Sequence, residues 1–307
     1  GFSYGTQMRT SEEALAEDMY WAIQNLIKYY PQYANLPFYI TGESYAGKYL
    51  PSLGDYIRRM NLRLPAGAVR LNLQGIAIGD GWVHPIIQNA AYVTYPYSVG
   101  LIDTATRDKA QIIYTSLKDA INKGQWDHAN DLSNDLEGLV VSAANIDEDN
   151  FYYSSDPMNA ILNAMPNYLN SPIMKKILSV GDHTWTFQSD AAGNALNADE
   201  QQSVLHLFPE LIRNYKFMLY VGNLDLNCNV EGIQNYLPHM GWSEYPKFYN
   251  AKNNLWWNGE TLAGYVKTHH NFTFAVVRNS GHEVPFFQPA NAQDMIRRWI
   301  GGIAPWQ

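Results

Sequence analysis

The stretch Gly42-Glu43-Ser44-Tyr45-Ala46-Gly47 places a serine at the centre of a G-x-S-x-G motif, directly after the apolar segment 36–40. The two glycines permit a sharp turn from a strand into a helix, and this turn exposes the serine hydroxyl for nucleophilic attack. A serine alone is a weak nucleophile, because it needs a base and an acid that orients the base. Ser44 is therefore a candidate nucleophile whose partners must lie elsewhere in the chain.

Two later segments offer those partners. Asp225 ends the apolar segment 217–224, and His282 follows the apolar segment 272–277 in a turn. The order serine, aspartate, histidine along the chain is that of the α/β-hydrolases. Ser44, Asp225 and His282 are therefore predicted to form a catalytic triad.

Composition and charge exclude several classes of protein. The 307 residues are 46% hydrophobic and 16% charged, which is typical of a globular chain. A net charge of −8 with scattered Lys and Arg residues argues against a nucleic-acid partner, because phosphate binding needs clustered basic side chains. No run of about 18 apolar residues is present, so no membrane span is predicted.

Three features bear on the compartment and the chain's origin. Cys228 is the single cysteine, so the chain can form no internal disulfide, which indicates a reducing compartment. Asn271-Phe272-Thr273 is an N-glycosylation acceptor, which indicates the secretory pathway instead. The chain begins at Gly1 without a methionine, so we expect a processed or truncated piece.

The segments around the motif alternate between helical and strand patterns. A helix is predicted over residues 10–30, where Thr10 and Glu13 form a capping box and Pro31 ends the helix. Its apolar side should face a sheet and comprises Leu15, Met19, Ile23 and Leu26. The other predicted elements are strands at 38–41, 71–79, 216–224 and 272–278 and helices at 46–61, 105–124, 127–142 and 290–300.

This alternation predicts an α/β class and an α/β-hydrolase fold, with a mostly parallel central sheet and helices on both faces. Residues 1–81 and 202–307 are assigned to the hydrolase core. Residues 82–201 interrupt the sheet pattern with helical and then turn-rich sequence between two core strands. They are therefore predicted to form an inserted helical cap over the active site.

Several motifs closely resemble those of the serine carboxypeptidases (peptidase family S10), which have the α/β-hydrolase fold. They are the nucleophile segment 42–51, the strand segment 72–81, the aspartate segment 222–229, the histidine segment 281–285 and the opening Gly1-Phe2-Ser3-Tyr4. Glu43, directly before the serine, distinguishes this family, since lipases and esterases also contain the G-x-S-x-G motif. Within the family, the pattern is nearest to the vitellogenic-like lysosomal carboxypeptidases.

The resemblance implies an enzyme that releases C-terminal amino acids from peptides. Ser44 would attack the last peptide carbonyl, His282 would transfer the proton, and Asp225 would hold the imidazole. The backbone N–H of Tyr45 would supply one donor of the oxyanion hole. The resemblance implies no metal and no organic cofactor.

Three further residues are candidates for binding the substrate. In the family, the side chain at the position of Glu43 contacts the free carboxylate of the substrate. Two carboxylates repel each other unless they share a proton. We therefore expect peptide hydrolysis to be fastest at acid pH. Cys228 matches a free cysteine that some relatives keep near the substrate side chain; the alternative is an inert buried thiol. Glu283 is expected to favour basic residues at the penultimate position, the alternative being a surface-paired carboxylate.

The chain also departs from the family pattern. Serine carboxypeptidases normally carry a long segment before Gly1-Phe2-Ser3-Tyr4, which completes the carboxylate site and the second oxyanion donor. Without that segment, strand edges would keep unpaired N–H and C=O groups, so we expect a second chain or a preceding N-terminal segment as a partner. A homodimer is a further hypothesis. The resemblance implies a lysosomal, vacuolar or secreted location.

Two other functions stay open. Some relatives use the same triad to pass an acyl group to an alcohol, so an acyltransferase is the nearest alternative. The second is a non-catalytic stabilising or binding subunit on the same fold. The triad alone does not distinguish the first alternative from a peptidase.

Two minor features are given structural interpretations. The pair His269-His270 has no carboxylate or cysteine at ligand spacing in the sequence, so a polar turn is predicted and no metal site. Lys48 follows the nucleophile motif and is interpreted as an exposed residue on the helix.

Overall fold

The computed structural model describes residues 1–5, 7–303 and 306, and in these residues one six-stranded sheet forms the centre. The strands are β1 (Phe38–Glu43), β2 (Leu73–Gly79), β3 (Lys216–Gly222), β4 (Asn254–Asn258), β5 (Thr261–His269) and β6 (Phe272–Val277). Their order is β1-β2-β3-β6-β5-β4, with β1, β2, β3 and β6 parallel and the other pairings antiparallel. The carboxyl ends of the parallel strands share one edge of the sheet, where α/β proteins bind their ligands.

Helices precede, connect and follow these strands. They are α1 (Glu12–Tyr29), α2 (Ala46–Leu62), α3 (Pro85–Ser98), α4 (Thr104–Asn122), α5 (Trp126–Ala144), α6 (Asn159–Leu169), α7 (Pro172–Leu178), α8 (Asp190–Glu200), α9 (Phe208–Asn214), α10 (Val230–Tyr236), α11 (Tyr245–Asn250), α12 (Val284–Phe287) and α13 (Pro289–Gly301). The mostly parallel sheet with interleaved helices confirms the predicted α/β class. Across residues 1–5, 7–303 and 306, the structure contains no helix with the length and apolarity needed to cross a membrane.

Alternate residues of the sheet pack against opposite layers of helices. In β2, Ile76 and Ile78 share a core cluster with Ile57 of α2, whereas Ala77 belongs to the cluster that contains Trp299 of α13. This separation follows from the two-residue period of a strand. Ile57, Ile76 and Ile78 are fully buried, and burial of each such side chain contributes about 1.5–3 kcal/mol. Both layers therefore fix β2 and the turn that follows it.

The helices between β2 and β3 build a core of their own. Leu117 of α4 and Leu136 and Val140 of α5 are fully buried in this cluster. Leu226, in the loop after β3, belongs to the same cluster, so the helical segment is anchored beside the carboxyl edge of the sheet. The boundaries of the cap at residues 82–201 stay a prediction.

Helix α1 differs from its prediction at its start and on its buried side. Its N-cap is Ser11, whose side chain accepts the N–H of Ala14, and not Thr10. The apolar residues Met19 and Leu26 are about half exposed, so the prediction that they face a sheet is wrong. The buried side instead packs on α2 and comprises Glu12, Ala16, Tyr20 and Gln24. Because Glu12 and Gln24 on this side are polar, the hydrophobic pattern did not indicate that it is buried.

Strands β4 and β5 were missed by the sequence analysis. Trp256 of β4 is fully buried, and its Nε1–H donates to Asp294 of α13 at 2.9 Å. The neighbouring Trp257 is partly exposed, so the pair follows the alternation of an edge strand. Antiparallel strands therefore extend the sheet beyond β6.

Candidate active site

The nucleophile motif forms a strained turn between β1 and α2. Ser44 has a φ of +61°, in the left-handed region that non-glycine residues seldom adopt. A Cβ on Gly42 would come within 2.7 Å of the first side chain of α2, and one on Gly47 would come within 2.5 Å of the Trp82 carbonyl oxygen. The N–H of Trp82 also donates to the Ser44 carbonyl at 2.9 Å. Both glycines are therefore required by close approaches, and the loop after β2 supports the turn.

Asp225 and His282 form a buried pair at the carboxyl edge of the sheet. His282 Nδ1 lies 3.0 Å from Asp225 Oδ2, and the two residues are 4% and 0% exposed. The Cys228 N–H lies 3.2 Å from both oxygens of Asp225, and the His282 N–H donates to the carbonyl of Asp149 at 2.6 Å. With Nδ1 protonated toward Asp225, Nε2 is the basic nitrogen. Nε2 is buried and makes no hydrogen bond within the described residues, Ser44 included.

The pKa of His282 reflects opposing effects. Burial alone lowers the pKa, but the carboxylate of Asp225 raises it, and so do the charges of Asp149 and Glu283. The net effect places the pKa above the usual range of histidine. The protonated imidazole is therefore stabilised, which favours the form that exists after proton transfer from a nucleophile.

Glu43 lies beside this pair. Burial raises its pKa to about 7, although His282, the Tyr220 hydroxyl and the backbone N–H of Val284 act in the opposite direction. The Tyr220 O–H donates to Glu43 Oε1 at 3.3 Å. The ring of Tyr220 fits only because its register partner is Gly79, where a Cβ would come within 2.3 Å of the ring. The sequence pattern did not indicate Tyr220, and the glycine at the end of β2 was the available signal.

A cavity of about 230 Å³ opens at Ser44. Its wall includes Tyr45, Cys228 and the acidic side chains of Glu137 and Glu200, which the sequence analysis did not single out. Burial raises the pKa of Glu137, and the charge of Glu200 raises it further. In the part of the chain that the structure describes, the Tyr45 N–H donates no hydrogen bond. That N–H is free to bind an oxygen that develops negative charge.

Cys228 lies in the wall of the same cavity and is 2% exposed. Burial raises the pKa of its thiol, and the nearby carboxylate of Asp225 raises it further. The thiol is therefore neutral, and thiolate chemistry is disfavoured. Cys228 thus contributes a neutral residue to the cavity wall next to the nucleophile.

Glu283 and Asn271 lie in different surroundings. Burial raises the pKa of Glu283 to about 7, and the charge of Asp149 adds to the effect. Glu283 Oε2 is buried and has no hydrogen-bond partner within the described ranges, so the surface-paired alternative is not supported there. Asn271 is exposed in the turn between β5 and β6, and its Nδ2 donates to the Ile212 carbonyl at 3.0 Å. It lies away from the triad edge.

Lys48 is fully buried, so its interpretation as an exposed helix residue is wrong. Its Nζ lies 2.8 Å from Asp199 Oδ2, and it also donates to the carbonyl oxygen of Asp199. The Tyr45 hydroxyl donates to the same carboxylate at 3.4 Å. Burial raises the pKa of the neighbouring Glu12 to about 8. Asp199 lies in the last turn of α8, far along the chain, so the sequence pattern around Lys48 could not reveal this partner.

In the folded chain, a carboxylate lies beside His269 and His270, although the sequence has none at ligand spacing. Glu244 Oε2 lies 3.3 Å from His269 Nε2 and 3.8 Å from His270 Nε2. The same oxygen lies 2.7 Å from Lys247 Nζ, which already neutralises it. Glu244 therefore forms a surface ion pair with Lys247, next to the two histidines.

The strained serine turn and the buried imidazole–carboxylate pair at one edge of a parallel sheet define an α/β-hydrolase. The chain belongs to the serine carboxypeptidase family, because the Peptidase S10 family profile matches residues 1–302. It is 31% identical over 309 residues to serine carboxypeptidase S10 family member 1 of Dictyostelium discoideum, an alignment that covers 98% of this chain and 73% of the relative. The family predicted from the sequence is confirmed.

Other relatives support the same assignment. The venom serine carboxypeptidase of Apis mellifera is 31% identical over 311 residues, which cover 97% of this chain and 66% of that protein. The probable serine carboxypeptidase CPVL of Homo sapiens is 29% identical over 317 residues, which cover 98% of this chain and 65% of that protein. The chain thus spans slightly less than two thirds of the length of these two relatives.

A solved structure confirms the fold. The chain is similar to Kex1ΔP, a prohormone-processing carboxypeptidase from Saccharomyces cerevisiae, with a TM-score of 0.83 and 21% sequence identity. The superposition covers 97% of this chain and 68% of that one. The predicted α/β-hydrolase fold is therefore confirmed, helical insertion and sheet together.

Proposed function

We propose that the protein is a serine carboxypeptidase that releases amino acids from the C-terminus of peptides. The observation that carries this proposal is the 3.0 Å contact between His282 Nδ1 and Asp225 Oδ2 at the sheet edge where the turn of Ser44 lies. Family membership supports the peptidase assignment, since the relatives are named serine carboxypeptidases. Ser44, His282 and Asp225 are assigned the triad roles on this basis.

The reaction proceeds in two steps. His282 Nε2 takes the proton of Ser44 as Oγ bonds to the peptide carbonyl carbon, and Asp225 stabilises the resulting imidazolium. The imidazolium then protonates the leaving amine, the C–N bond breaks, and an acyl-enzyme forms. Water deprotonated by His282 hydrolyses this ester and restores Ser44. The Tyr45 N–H binds the oxyanion in both steps, and each such donor is typically worth about 3–4 kcal/mol.

Glu43 is assigned the recognition of the substrate carboxylate. A protonated Glu43 can donate a hydrogen bond to that carboxylate, whereas an ionised Glu43 repels it. Its raised pKa of about 7 extends the protonated form toward neutral pH. The preference for a free C-terminal carboxylate over its amide is therefore expected to be greatest on the acid side of neutrality, where Glu43 is protonated.

Cys228 and Glu283 are assigned to the substrate subsites. The position of Cys228 in the cavity wall supports contact with a substrate side chain. Inhibition of the wild type by a small mercurial, with Cys228→Ala unaffected, would support this contact, whereas no inhibition would favour an inert buried thiol. Glu283 supports a preference for a basic penultimate residue by charge complementarity above about pH 7, where it is ionised, and equal turnover of Arg and Leu there would exclude it.

The substrate test uses one blocked dipeptide in two forms, with a C-terminal carboxylate and with a C-terminal amide. A carboxypeptidase releases the terminal amino acid from the carboxylate form at the higher kcat/KM, and Ser44→Ala abolishes release. Turnover of an ester without hydrolysis of either peptide would favour the acyltransferase. No turnover of any substrate by the folded protein would favour the non-catalytic subunit.

We also propose a location for the protein and partners other than the peptide substrate. The exposed Asn271 supports a glycoprotein of the lysosome, the vacuole or the extracellular space. Enzymatic removal of N-glycans should lower the mass of the secreted wild type but not of Asn271→Gln. The second chain or preceding segment and the homodimer stay predictions, which light scattering of the purified protein tests.

A further inference from the structure

Asp80 is a fully buried acid that the triad assignment does not use. It directly follows β2, which lies between β1, after which Ser44 comes, and β3, whose following loop contains Asp225. Its N–H donates to the Tyr220 carbonyl at 2.8 Å, and its Oδ1 accepts the N–H of Gly222 at 2.7 Å. Its Oδ2 is buried and has no hydrogen-bond partner in the residues described. Such an orphan oxygen in a native core calls for a physical reason.

The unpaired Oδ2 of Asp80 is explained by the short distance between Asp80 and the carboxylate of Asp225. One oxygen of Asp80, one oxygen of Asp225 and a ring nitrogen of His282 all lie within 4.8 Å of one another. Two ionised carboxylates accept hydrogen bonds and donate none, so they leave each other unpaired. A single proton between them turns this repulsion into a hydrogen bond.

Asp225 is the better place for the negative charge. It accepts from the Cys228 N–H and lies 3.0 Å from the imidazole of His282, whereas Asp80 has one backbone donor and, within the ranges described, no hydrogen bond with the imidazole. The other titratable groups around Asp80 are acids or neutral donors, namely Glu43 on β1, Tyr220 on β3 and Cys228 in the loop after β3. Among the described residues, no Lys or Arg pairs with Asp80. Burial raises its pKa well above the usual range, and the charge of Asp225 raises it further.

We propose that Asp80 is a neutral carboxylic acid that donates its Oδ2–H to the carboxylate of Asp225 and is thereby a positioning residue of the triad. The hydrogen bond holds Asp225 toward His282. It also leaves one negative charge, instead of two, to stabilise the imidazolium. The catalytic consequence rests on the proposed function, whereas the protonation state of Asp80 does not.

Asp80→Asn tests the proposal by kinetics. Asparagine tolerates the φ of +44° at this position, can accept from Gly222 and can donate to Asp225. If Asp80 is neutral, Asp80→Asn keeps kcat and the acid limb of the kcat/KM profile. If Asp80 is ionised, the variant removes a negative charge beside His282, and the acid limb moves to lower pH. Glu283→Gln, which removes a charge that raises the pKa of His282, serves as the positive control for that shift.

Asp80→Ala, unlike Asp80→Asn, leaves no side-chain donor at this position. It removes the donor to Asp225, so kcat should fall at least about tenfold, the cost of a lost hydrogen bond to a charged group. Loss in Asp80→Ala together with retention in Asp80→Asn supports the positioning role. An unchanged kcat in a folded Asp80→Ala would overturn it.

Infrared spectroscopy tests the proton without any catalysis. In a Ser44→Ala background, the difference spectrum against Ser44→Ala/Asp80→Asn should contain the C=O stretch of a protonated carboxyl group. The band should persist above the pKa values of Glu43 and Glu283, which are about 7, and of Glu12, which is about 8. Absence of the band at neutral pH would overturn the proposal, even in a protein that lacks peptidase activity.

Discussion

His282 Nδ1 and Asp225 Oδ2 lie 3.0 Å apart, and both side chains are almost completely shielded from water. Shielding strengthens the attraction between an imidazolium and a carboxylate, because solvent does not screen it. The pair is therefore built to stabilise the charge that forms when His282 accepts a proton.

Asp225→Asn should lower kcat by about 10³–10⁴-fold, because the amide cannot hold the imidazole in the tautomer that leaves Nε2 basic. The change keeps the shape of the side chain, so the protein should stay folded. Steady-state kinetics on a blocked dipeptide measure the effect. Asp131→Asn, on an exposed surface of α5, is the matched control and should retain wild-type kcat.

Glu283→Gln should shift the acid limb of the kcat/KM profile to lower pH. The negative charge of Glu283 raises the pKa of His282, so its removal lowers that pKa. The neutral imidazole, which is the active base, then persists to lower pH. Kinetics over a pH series at low ionic strength measure the shift, with the exposed Glu260→Gln as control. An acid limb that stays in place, or moves upward, contradicts this account of the charge around His282.

Glu43→Gln should remove the pH dependence of carboxylate recognition. In the wild type, the ratio of kcat/KM for a free-acid peptide to that for its amide should fall as the pH rises through about 7, because Glu43 loses the proton that it shares with the substrate. Glutamine donates at every pH, so the ratio should become constant. Glu17→Gln, on the exposed side of α1, should behave like the wild type. The same fall in the ratio for Glu43→Gln would exclude the assignment.

Lys48→Met should lower the free energy of unfolding by about 3–5 kcal/mol, because it leaves the carboxylate of Asp199 buried without its cation. Lys123→Met breaks an exposed ion pair with Asp119 and should cost less than about 1 kcal/mol. Urea denaturation followed by circular dichroism compares the two variants. Equal costs would show that burial of Lys48 does not control its contribution.

The sequence predicts the hydrolase core well, because local patterns decide it there. The turn at Ser44 is dictated by Gly42 and Gly47, whose close approaches exclude any Cβ, and both glycines are visible in the motif. The chain order of Ser44, Asp225 and His282 then indicates the fold. The structure supports the Asp225–His282 contact with a direct distance.

The remaining features depend on contacts between residues that are distant in the sequence. Lys48 is buried because Asp199 neutralises it, and Gln24 is buried because it bonds the backbone of Val69 in both directions. A hydrophobic pattern assigns such polar side chains to the surface. The proximity of Asp80 to Asp225 likewise depends on the pairing of β2 with β3, which the sequence does not specify.

The central claim is that Ser44 is a nucleophile activated by His282 and Asp225. The most direct test is intact-mass analysis under denaturing conditions before and after treatment with a fluorophosphonate, which reacts with activated serines. The account predicts one adduct on the wild type, mapped to Ser44, and none on Ser44→Ala or on His282→Ala. An unlabelled wild-type protein that is folded, or an adduct that persists in Ser44→Ala, would contradict it.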